Sequence, residues 1–287
     1  MKHKKLRKFL AYSGIFLFAL FVVFVTWQLS KKVPTDGDWK PTLKLLSTAT
    51  FKGDTVTVKN VRNFQYDAKG DPTIQEYYDK TYDLKKLKRT WYVSDPFHPG
   101  SLFSHTFLSF EFSDNSYLAI TIEGRLTEGQ EYNAINGTIR TFPLIYIAAD
   151  ERDVIYLRTN VYKNQVYMYP IRATPTQSRL LLVDLLERMN ELSVHPAWYN
   201  SIFDNCTSAI AHHVNKIWPG LLPRFDWQSV LTSYADEMVI HRNLIDTSLS
   251  VSEARRKFYV TDLAQKIGYV GDFSALLRKA IDDNTNN

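Results

Sequence analysis

Residues 173–196, ATPTQSRLLLVDLLERMNELSVHP, mark the point at which the hydrophobic pattern of the chain changes. The segment opens with TPTQ at positions 174–177, where a threonine cap, a proline at the first helical position and a glutamine three residues after the cap are typical of a helix start. The apolar residues that follow fit one face of a long helix, which we expect to end before Pro196.

The chain upstream of this helix, from about Thr55 to Tyr169, has the pattern of strands, with β-branched and aromatic runs bounded by turn residues. These runs are TVTVKNVRNFQY, RTWYV, SHTFLSFEF, SYLAITIE, TIRTFPLIYIA and QVYMYPI. Downstream, DWQSVLTSYADEMVI and FSALLRKAI predict further helices. Strands followed by helices predict an α+β fold in which an antiparallel sheet packs against C-terminal helices.

The N-terminus predicts a single transmembrane helix that precedes this domain. Residues 1–8 form a basic tail, and residues 9–29 carry no charge over 21 residues, enough to cross a bilayer core of about 30 Å. The segment lacks a small-residue cleavage site and ends at Trp27 and two lysines, so we expect an uncleaved span with an interfacial tryptophan. Five basic residues before the span against two after it place the N-terminus in the cytoplasm and the domain outside.

The net charge of +5 comes entirely from the basic tail, because the rest of the chain has 30 basic and 30 acidic residues. No basic surface is therefore predicted, and we expect no nucleic acid as a partner. Beyond the anchor we expect a linker over residues 30–50, a main domain over 51–250 and a C-terminal helical extension over 251–287.

Cys206, the only cysteine of the chain, lies in the segment SIFDNCTSAIAHHVN, where a helix is predicted to begin. With Asp204 or Asn205 as the cap, the thiol falls in the first helical turn, where the free amides and the positive end of the helix dipole favour a thiolate. A buried, inert cysteine on an apolar helix face fits the same pattern. Position alone leaves both interpretations open.

A nucleophilic cysteine needs a base, and the nearby His212 and His213 do not fit. His213 lies seven residues on, about 10.5 Å along the helix axis, and His212 is off the face. We interpret them as a solvated or capping pair, and we predict neither a metal site nor a cofactor. The better candidate is His105, which lies in the apolar strand SHTFLSFEF, although a core histidine bonded to backbone is the alternative.

Glu123 on the neighbouring strand is the candidate to orient His105, and the hairpin register determines whether it can. A loop over residues 113–115 places Glu123 opposite His105, whereas a two-residue loop turns it to the other face. A surface ion pair with Arg125 is the alternative. Asn205 is a candidate oxyanion contact together with the Cys206 amide, or a plain helix cap.

Several of these segments together resemble a known family. VRNFQYD, SHTFLSFEFSDNSYLAITIE, LIYIAADERDVIYLRTN, VYMYPI and YNSIFDNCTSAI, in this order over residues 55–250, are similar to DUF4105, the periplasmic domain of Lnb lipoprotein N-acyltransferases. The resemblance implies a permuted papain-like core of NlpC/P60 type in which the histidine precedes the cysteine. It also implies that Cys206 holds an acyl group as a thioester, that His105 is its base, and that the domain is periplasmic on the bacterial inner membrane.

The leading hypothesis is therefore a membrane-anchored thiol acyltransferase or hydrolase that acts on a membrane lipid or lipoprotein without a cofactor or metal. Full acyltransferases of this kind carry further membrane spans after the domain, so transfer to an amine and hydrolysis by water both remain open. A peptidoglycan amidase or peptidase of NlpC/P60 type is the alternative among enzymes. A noncatalytic domain that binds an envelope partner is the alternative from another class.

Overall fold

The computed structural model describes residues 2–223 and 226–283, apart from the side chain of Lys2. The strands in this part are β1 (Thr48–Lys52), β2 (Thr55–Tyr66), β3 (Pro72–Asp83), β4 (Leu87–Pro96), β5 (Ser104–Phe112), β6 (Tyr117–Gly124), β7 (Leu144–Ala149) and β8 (Tyr167–Pro170). The helices are α1 (Lys2–Ser30), α2 (Glu151–Tyr156), α3 (Pro175–Val194), α4 (Cys206–Ile217), α5 (Trp227–Val230), α6 (Ala235–His241), α7 (Val251–Lys257), α8 (Thr261–Ile267) and α9 (Phe273–Asp283).

The strands form one sheet in the order β1-β2-β7-β6-β5-β4-β8, and β3 pairs with β2 off this path. The α+β prediction is confirmed, but the sheet is mixed because β2 runs parallel to β7 through the pair Arg62 and Ala149. The strand-rich half is also interrupted by α2 and a π-helical turn, Leu157–Val161, which lie between β7 and β8.

Helices cover both faces of the sheet. Thr106 on β5 contacts Thr207 of α4, whereas Ser109 on the same strand bonds Glu151 of α2. Residues an odd number apart on a strand point to opposite faces. The two helices are therefore on opposite sides of β5, and α4 shares its side with α3.

The helix over residues 175–194 is confirmed together with its predicted start. Thr174 Oγ1 accepts from the Gln177 amide at 3.2 Å and Gln177 Oε1 accepts from the Thr174 amide at 2.8 Å, which completes a capping box. The predicted helix in DWQSVLTSYADEMVI is instead divided into α5, a 3-10 turn and α6.

The predicted linker and C-terminal extension are parts of the folded domain. In residues 30–50, Trp39 and Leu43 are buried and β1 has begun. In residues 251–283, Ala254, Phe258 and Leu277 are among the core residues. The last four residues of the predicted extension lie outside the described part of the chain.

Helix α1 fits the predicted anchor, since it is the one helix among the described residues that is long and apolar enough to cross a membrane, with a mean hydropathy of 2.4. Its end is joined to the domain by Arg140, whose Nη1 donates to the carbonyl oxygens of Gln28 at 3.1 Å and Leu29 at 2.9 Å. Lys31 Nζ lies 4.0 Å from the centre of the Trp27 ring.

Candidate active site

Cys206 is the first residue of α4, and Asn205 is the cap. Asn205 Oδ1 accepts from the amides of Thr207 and Ser208, each at 2.9 Å. Its Nδ2 donates to the carbonyl oxygens of Ser201 at 2.9 Å and Ser229 at 2.8 Å. Both amide protons are used, so the structure favours the cap over the oxyanion contact for this side chain.

The Cys206 sulfur lies against the backbone of β5. Sγ is 3.9 Å from the carbonyl oxygen of Ser104 and 4.0 Å from Thr207 Oγ1, and the residue is only 6% exposed. Burial raises the pKa of the thiol, against the effect expected of a helix N-terminus. The resting group at neutral pH is therefore the thiol, and forming the thiolate requires a base.

His105 is the second residue of β5, and its hydrogen bonds identify its tautomer. Nε2 lies 2.6 Å from Thr121 Oγ1, and the Thr121 hydroxyl donates to Glu123 Oε1 at 3.0 Å. A hydroxyl that gives its proton to a carboxylate can only accept from the imidazole, so Nε2 carries the ring proton. Nδ1 is then the basic nitrogen, and it makes no hydrogen bond within the described residues.

His105 is held as a neutral imidazole by its surroundings. Its side chain is 12% exposed. Burial, followed by the positive charge of Arg158, lowers the pKa of His105 to about 3. The ring is therefore neutral at any physiological pH.

Glu123 lies on the same face as His105, as the three-residue hairpin loop predicts. β5 and β6 pair Phe107 with Thr121, and continuing that register by two residues places His105 opposite Glu123. Glu123 Oε1 is 3.7 Å from His105 Nε2. Burial opposes ionisation of Glu123, but nearby positive charge, from His105 when protonated and from Arg158, lowers its pKa.

The alternative partner for Glu123, Arg125, points elsewhere. Arg125 donates to the carbonyl oxygens of Leu43 at 2.9 Å and Lys44 at 2.6 Å. Its guanidinium lies 4.3 Å from the centre of the Trp39 ring. The alternative surface ion pair between Glu123 and Arg125 does not form.

One cavity of about 380 Å³ brings the predicted residues together. Cys206, Asn205, His105 and Glu123 all line it. Thr106, which follows His105 on the strand, turns its side chain to the α4 side, and the His105 side chain turns to the side of Thr121. No hydrogen bond joins Cys206 to His105 in the described part of the chain. Both side chains nevertheless line the same cavity.

Three further residues around His105 were not among the predicted site residues. The Thr121 hydroxyl connects His105 to Glu123 through two hydrogen bonds. Asp95 on β4 lies opposite His105 on β5 in the strand register. Arg158 Nε lies 3.0 Å from Asp95 Oδ2, and its Nη2 lies 3.8 Å from Glu123 Oε1, so it links the strands on both sides of His105. The sequence signal for Arg158 was a lone arginine within the apolar run VIYLRT.

The two adjacent histidines of α4 differ from the predicted solvated or capping pair. His212 is exposed, but His213 is buried, with Nδ1 2.6 Å from Asp184 Oδ2 and Nε2 2.9 Å from the Tyr146 hydroxyl. Its role is thus to join α4 to α3 and β7. Across residues 2–223 and 226–283 no group of three or more His, Cys, Asp or Glu side chains is placed to hold a metal ion.

Comparison with known families gives one result. Residues 74–233 match the model of the Lnb N-terminal periplasmic domain, and this range contains every residue of the cavity discussed above. Comparisons with curated proteins and with solved structures find no match.

Proposed function

The chain belongs to the Lnb N-terminal periplasmic domain family, and from this premise and the geometry of the cavity we propose that it is a membrane-anchored thiol acyltransferase or hydrolase. In this proposal Cys206 is the nucleophile, His105 its base and Glu123 the group that orients the base. We also propose that the core is of the permuted papain-like type, and that the chain is held in the bacterial inner membrane with its N-terminus in the cytoplasm.

The observation that carries the proposal is that the two candidate groups line one cavity. A protonated thiol at a helix start and a neutral imidazole with a free Nδ1 line one cavity. The other ring nitrogen is bound to a threonine that is itself bound to a carboxylate. Nucleophile, base and orienting group in this arrangement are the parts of a thiol acyl-transfer site, and in unliganded sites the nucleophile–base contact is often long.

The chemistry follows from these states. His105 Nδ1 takes the proton of the Cys206 thiol as Sγ attacks a substrate carbonyl carbon, and a C–S bond forms. The carbon's bond to the leaving oxygen or nitrogen breaks, and the imidazolium returns its proton to that atom. An amine or water then gives its proton to Nδ1 and attacks the thioester, which releases the thiol. The Cys206 amide, at the first position of α4, is the predicted oxyanion donor.

A second cavity supports an acyl substrate. It has a volume of about 290 Å³, and Thr207, the residue after Cys206, is one of the residues that line it. Leu108, Ile210, Val214 and Leu222 are among the apolar residues that line it. Together with α1, which tethers the domain beside a bilayer, this apolar space favours a membrane lipid or lipoprotein as substrate.

The test is whether Cys206 acquires an acyl group. The full chain is incubated with phospholipid vesicles or with a diacylated lipopeptide, and its intact mass is measured. We expect an added mass that hydroxylamine removes, none in Cys206→Ala, and a loss of rate of about 10²–10⁴-fold in His105→Ala. The proposal would be contradicted if the folded protein shows no adduct, or if the adduct persists in Cys206→Ala.

Variants of Glu123 test the orienting role, since Glu123→Gln keeps the size of the side chain but removes its charge. We expect slower adduct formation in Glu123→Gln, by about tenfold or more, with the adduct still on Cys206. Arg125→Gln is the matched control, because Arg125 points away from His105 and should leave the rate unchanged. Equal rates in Glu123→Gln and wild type would remove Glu123 from the site. Release of product from soluble muropeptides, with no lipid adduct, would indicate a peptidoglycan amidase instead.

A further inference from the structure

Exposed apolar side chains lie beside the mouth of the cavity that contains Cys206. Phe97, Leu102 and Phe103 lie between β4 and β5, and Tyr132 and Ile135 lie between β6 and β7. Their exposed fractions run from 38% for Phe103 to 74% for Ile135. We call these five residues the apolar rim. Phe97, Phe103 and Tyr132 also line the cavity itself, so the rim is part of its entrance. Apolar side chains grouped in this way mark an interaction surface.

The rim is joined to the end of α1 through one segment of chain. Ile135 lies five residues before Arg140, which donates to the last carbonyl groups of α1, and a 3-10 turn, Asn136–Thr138, lies between them. The segment is held in place because the Ser201 amide donates to the carbonyl oxygen of Gly137 and the Tyr132 hydroxyl lies 3.0 Å from Ser201 Oγ. This part of the rim is therefore connected both to the end of α1 and to the domain.

The end of α1 has the features of a membrane–water interface. Trp27 is half exposed, and Lys31 stacks on its ring. Tryptophan is enriched at that depth, and basic side chains beside it attract anionic lipid headgroups. Arg140 binds the helix one residue beyond Trp27, and Lys32 follows. The segment that carries Ile135 is consequently attached at the level of the headgroups.

We infer that the apolar rim inserts into the leaflet beside α1, so that the cavity opens onto the lipid surface. The partner of the rim is the bilayer that holds α1, because the segment that carries Ile135 is joined to the end of that helix, where Lys31 and Arg140 lie. Burial of these side chains among the acyl chains would remove their apolar surface from water. The inference does not depend on the chemistry of Cys206.

The test uses the full chain in vesicles of phosphatidylethanolamine and phosphatidylglycerol. Single cysteines are introduced by Phe103→Cys or Ile135→Cys in a Cys206→Ser background and labelled with the environment-sensitive dye NBD. Ser113→Cys is the matched control, because Ser113 is exposed at the other end of β5, roughly 30 Å from Ser104. Circular dichroism verifies that each variant is folded.

Insertion predicts that the dyes at positions 103 and 135 emit at shorter wavelength than the dye at 113 and lose intensity when doxyl-labelled lipid is added. Emission and quenching equal to those of the control would overturn the inference. A short-wavelength emission that doxyl lipid does not quench and that disappears when the protein-to-lipid ratio is lowered would also overturn it, since a second copy of the chain would then cover the rim. The result of this insertion test does not affect the test for an acyl adduct on Cys206. The result of the adduct test likewise does not affect the insertion test.

Discussion

At the scale of single residues, the state of His105 gives a pH dependence. A histidine has an ordinary pKa of 6.5, and burial with the Arg158 charge lowers that of His105 to about 3 in the folded chain. Between these values the unfolded chain binds a proton that the folded chain does not, so stability rises with pH in this window and falls on acidification. At pH 7 His105 is neutral in both the folded and the unfolded chain, so it causes no loss of stability.

We therefore expect the wild type to lose about 2 kcal/mol more stability than His105→Gln when the pH falls from 7 to 5, because glutamine does not titrate. The measurement is thermal unfolding of both chains in detergent at the two pH values. His213 and the carboxylates remote from His105 contribute equally to both chains and cancel in the comparison. If the two chains lose the same stability between pH 7 and pH 5, His105 is protonated in the folded chain as readily as in the unfolded chain.

The sequence predicted which residues line the cavity better than how they meet. Cys206 at a helix start and His105 in an apolar strand both follow from local patterns, and Glu123 follows from the hairpin loop. Thr121 and Arg158 do not follow. Thr121 acts through a hydroxyl that is common in strands, and Arg158 lies in the π-helical turn, which has no clear signature in the sequence.

At the scale of elements, α4 is the helix that places Cys206, and it is fixed at two points. Asn205 caps its start, and His213 joins its middle to Asp184 of α3 and Tyr146 of β7. Thr106 of β5 adds a contact to Thr207, with their hydroxyl oxygens 2.9 Å apart. The position of the sulfur therefore depends on polar contacts of its two neighbours, Asn205 and Thr207, and on those of His213, about two turns further along α4.

Loss of the second attachment is predicted to destabilise the protein. In His213→Ala the buried Tyr146 hydroxyl and one oxygen of Asp184 lose their partner, so we expect a loss of about 2–4 kcal/mol. His212→Ala is the matched control, since the neighbouring side chain is exposed and should cause little change. Unfolding midpoints in detergent measure both variants, and equal midpoints would mean that the His213 network does not hold α4.

The elements that the sequence predicted well carry strong local signals, and those it missed do not. The capping box and apolar face of α3 predict that helix in full. β3 is mostly exposed and pairs only with β2, so its residues lack the alternation that identifies a half-buried strand. α2 is too short for helical periodicity to appear. The run TIRTFPLIYIA forms a strand only over β7, because its first part is a 3-10 turn and loop.

At the scale of the whole molecule, the folded unit is larger than the range that matches the family. The match begins at residue 74, yet β1 and the whole of β2 precede it and belong to the same sheet. It ends at residue 233, yet α7, α8 and α9 contribute to the core. The hydrophobic periodicity of the sequence cannot show how far the folded unit extends. It identifies an amphipathic helix such as α9 but not the surface on which that helix packs.

The contact that ties the C-terminal helix to the sheet is a buried arginine. Arg278 of α9 bonds Glu151 of α2, and its guanidinium lies 4.6 Å from the centre of the Trp91 ring on β4. Glu111 of β5 is 3.6 Å from Arg278 Nε, and Lys88 on the surface binds the same carboxylate. Glu151 is fully buried and so depends on Arg278 for compensation of its charge.

We therefore expect Arg278→Ala to cost about 3–5 kcal/mol, since it leaves the Glu151 carboxylate buried without a counter-charge. Lys279→Ala is the matched control: Lys279 is exposed, pairs only with Asp283 one turn on, and should show little change. Chemical denaturation in detergent, followed by tryptophan fluorescence, measures both. If the two variants unfold at the same denaturant concentration, residues 251–283 are an appended segment, and the domain would then be complete without α9.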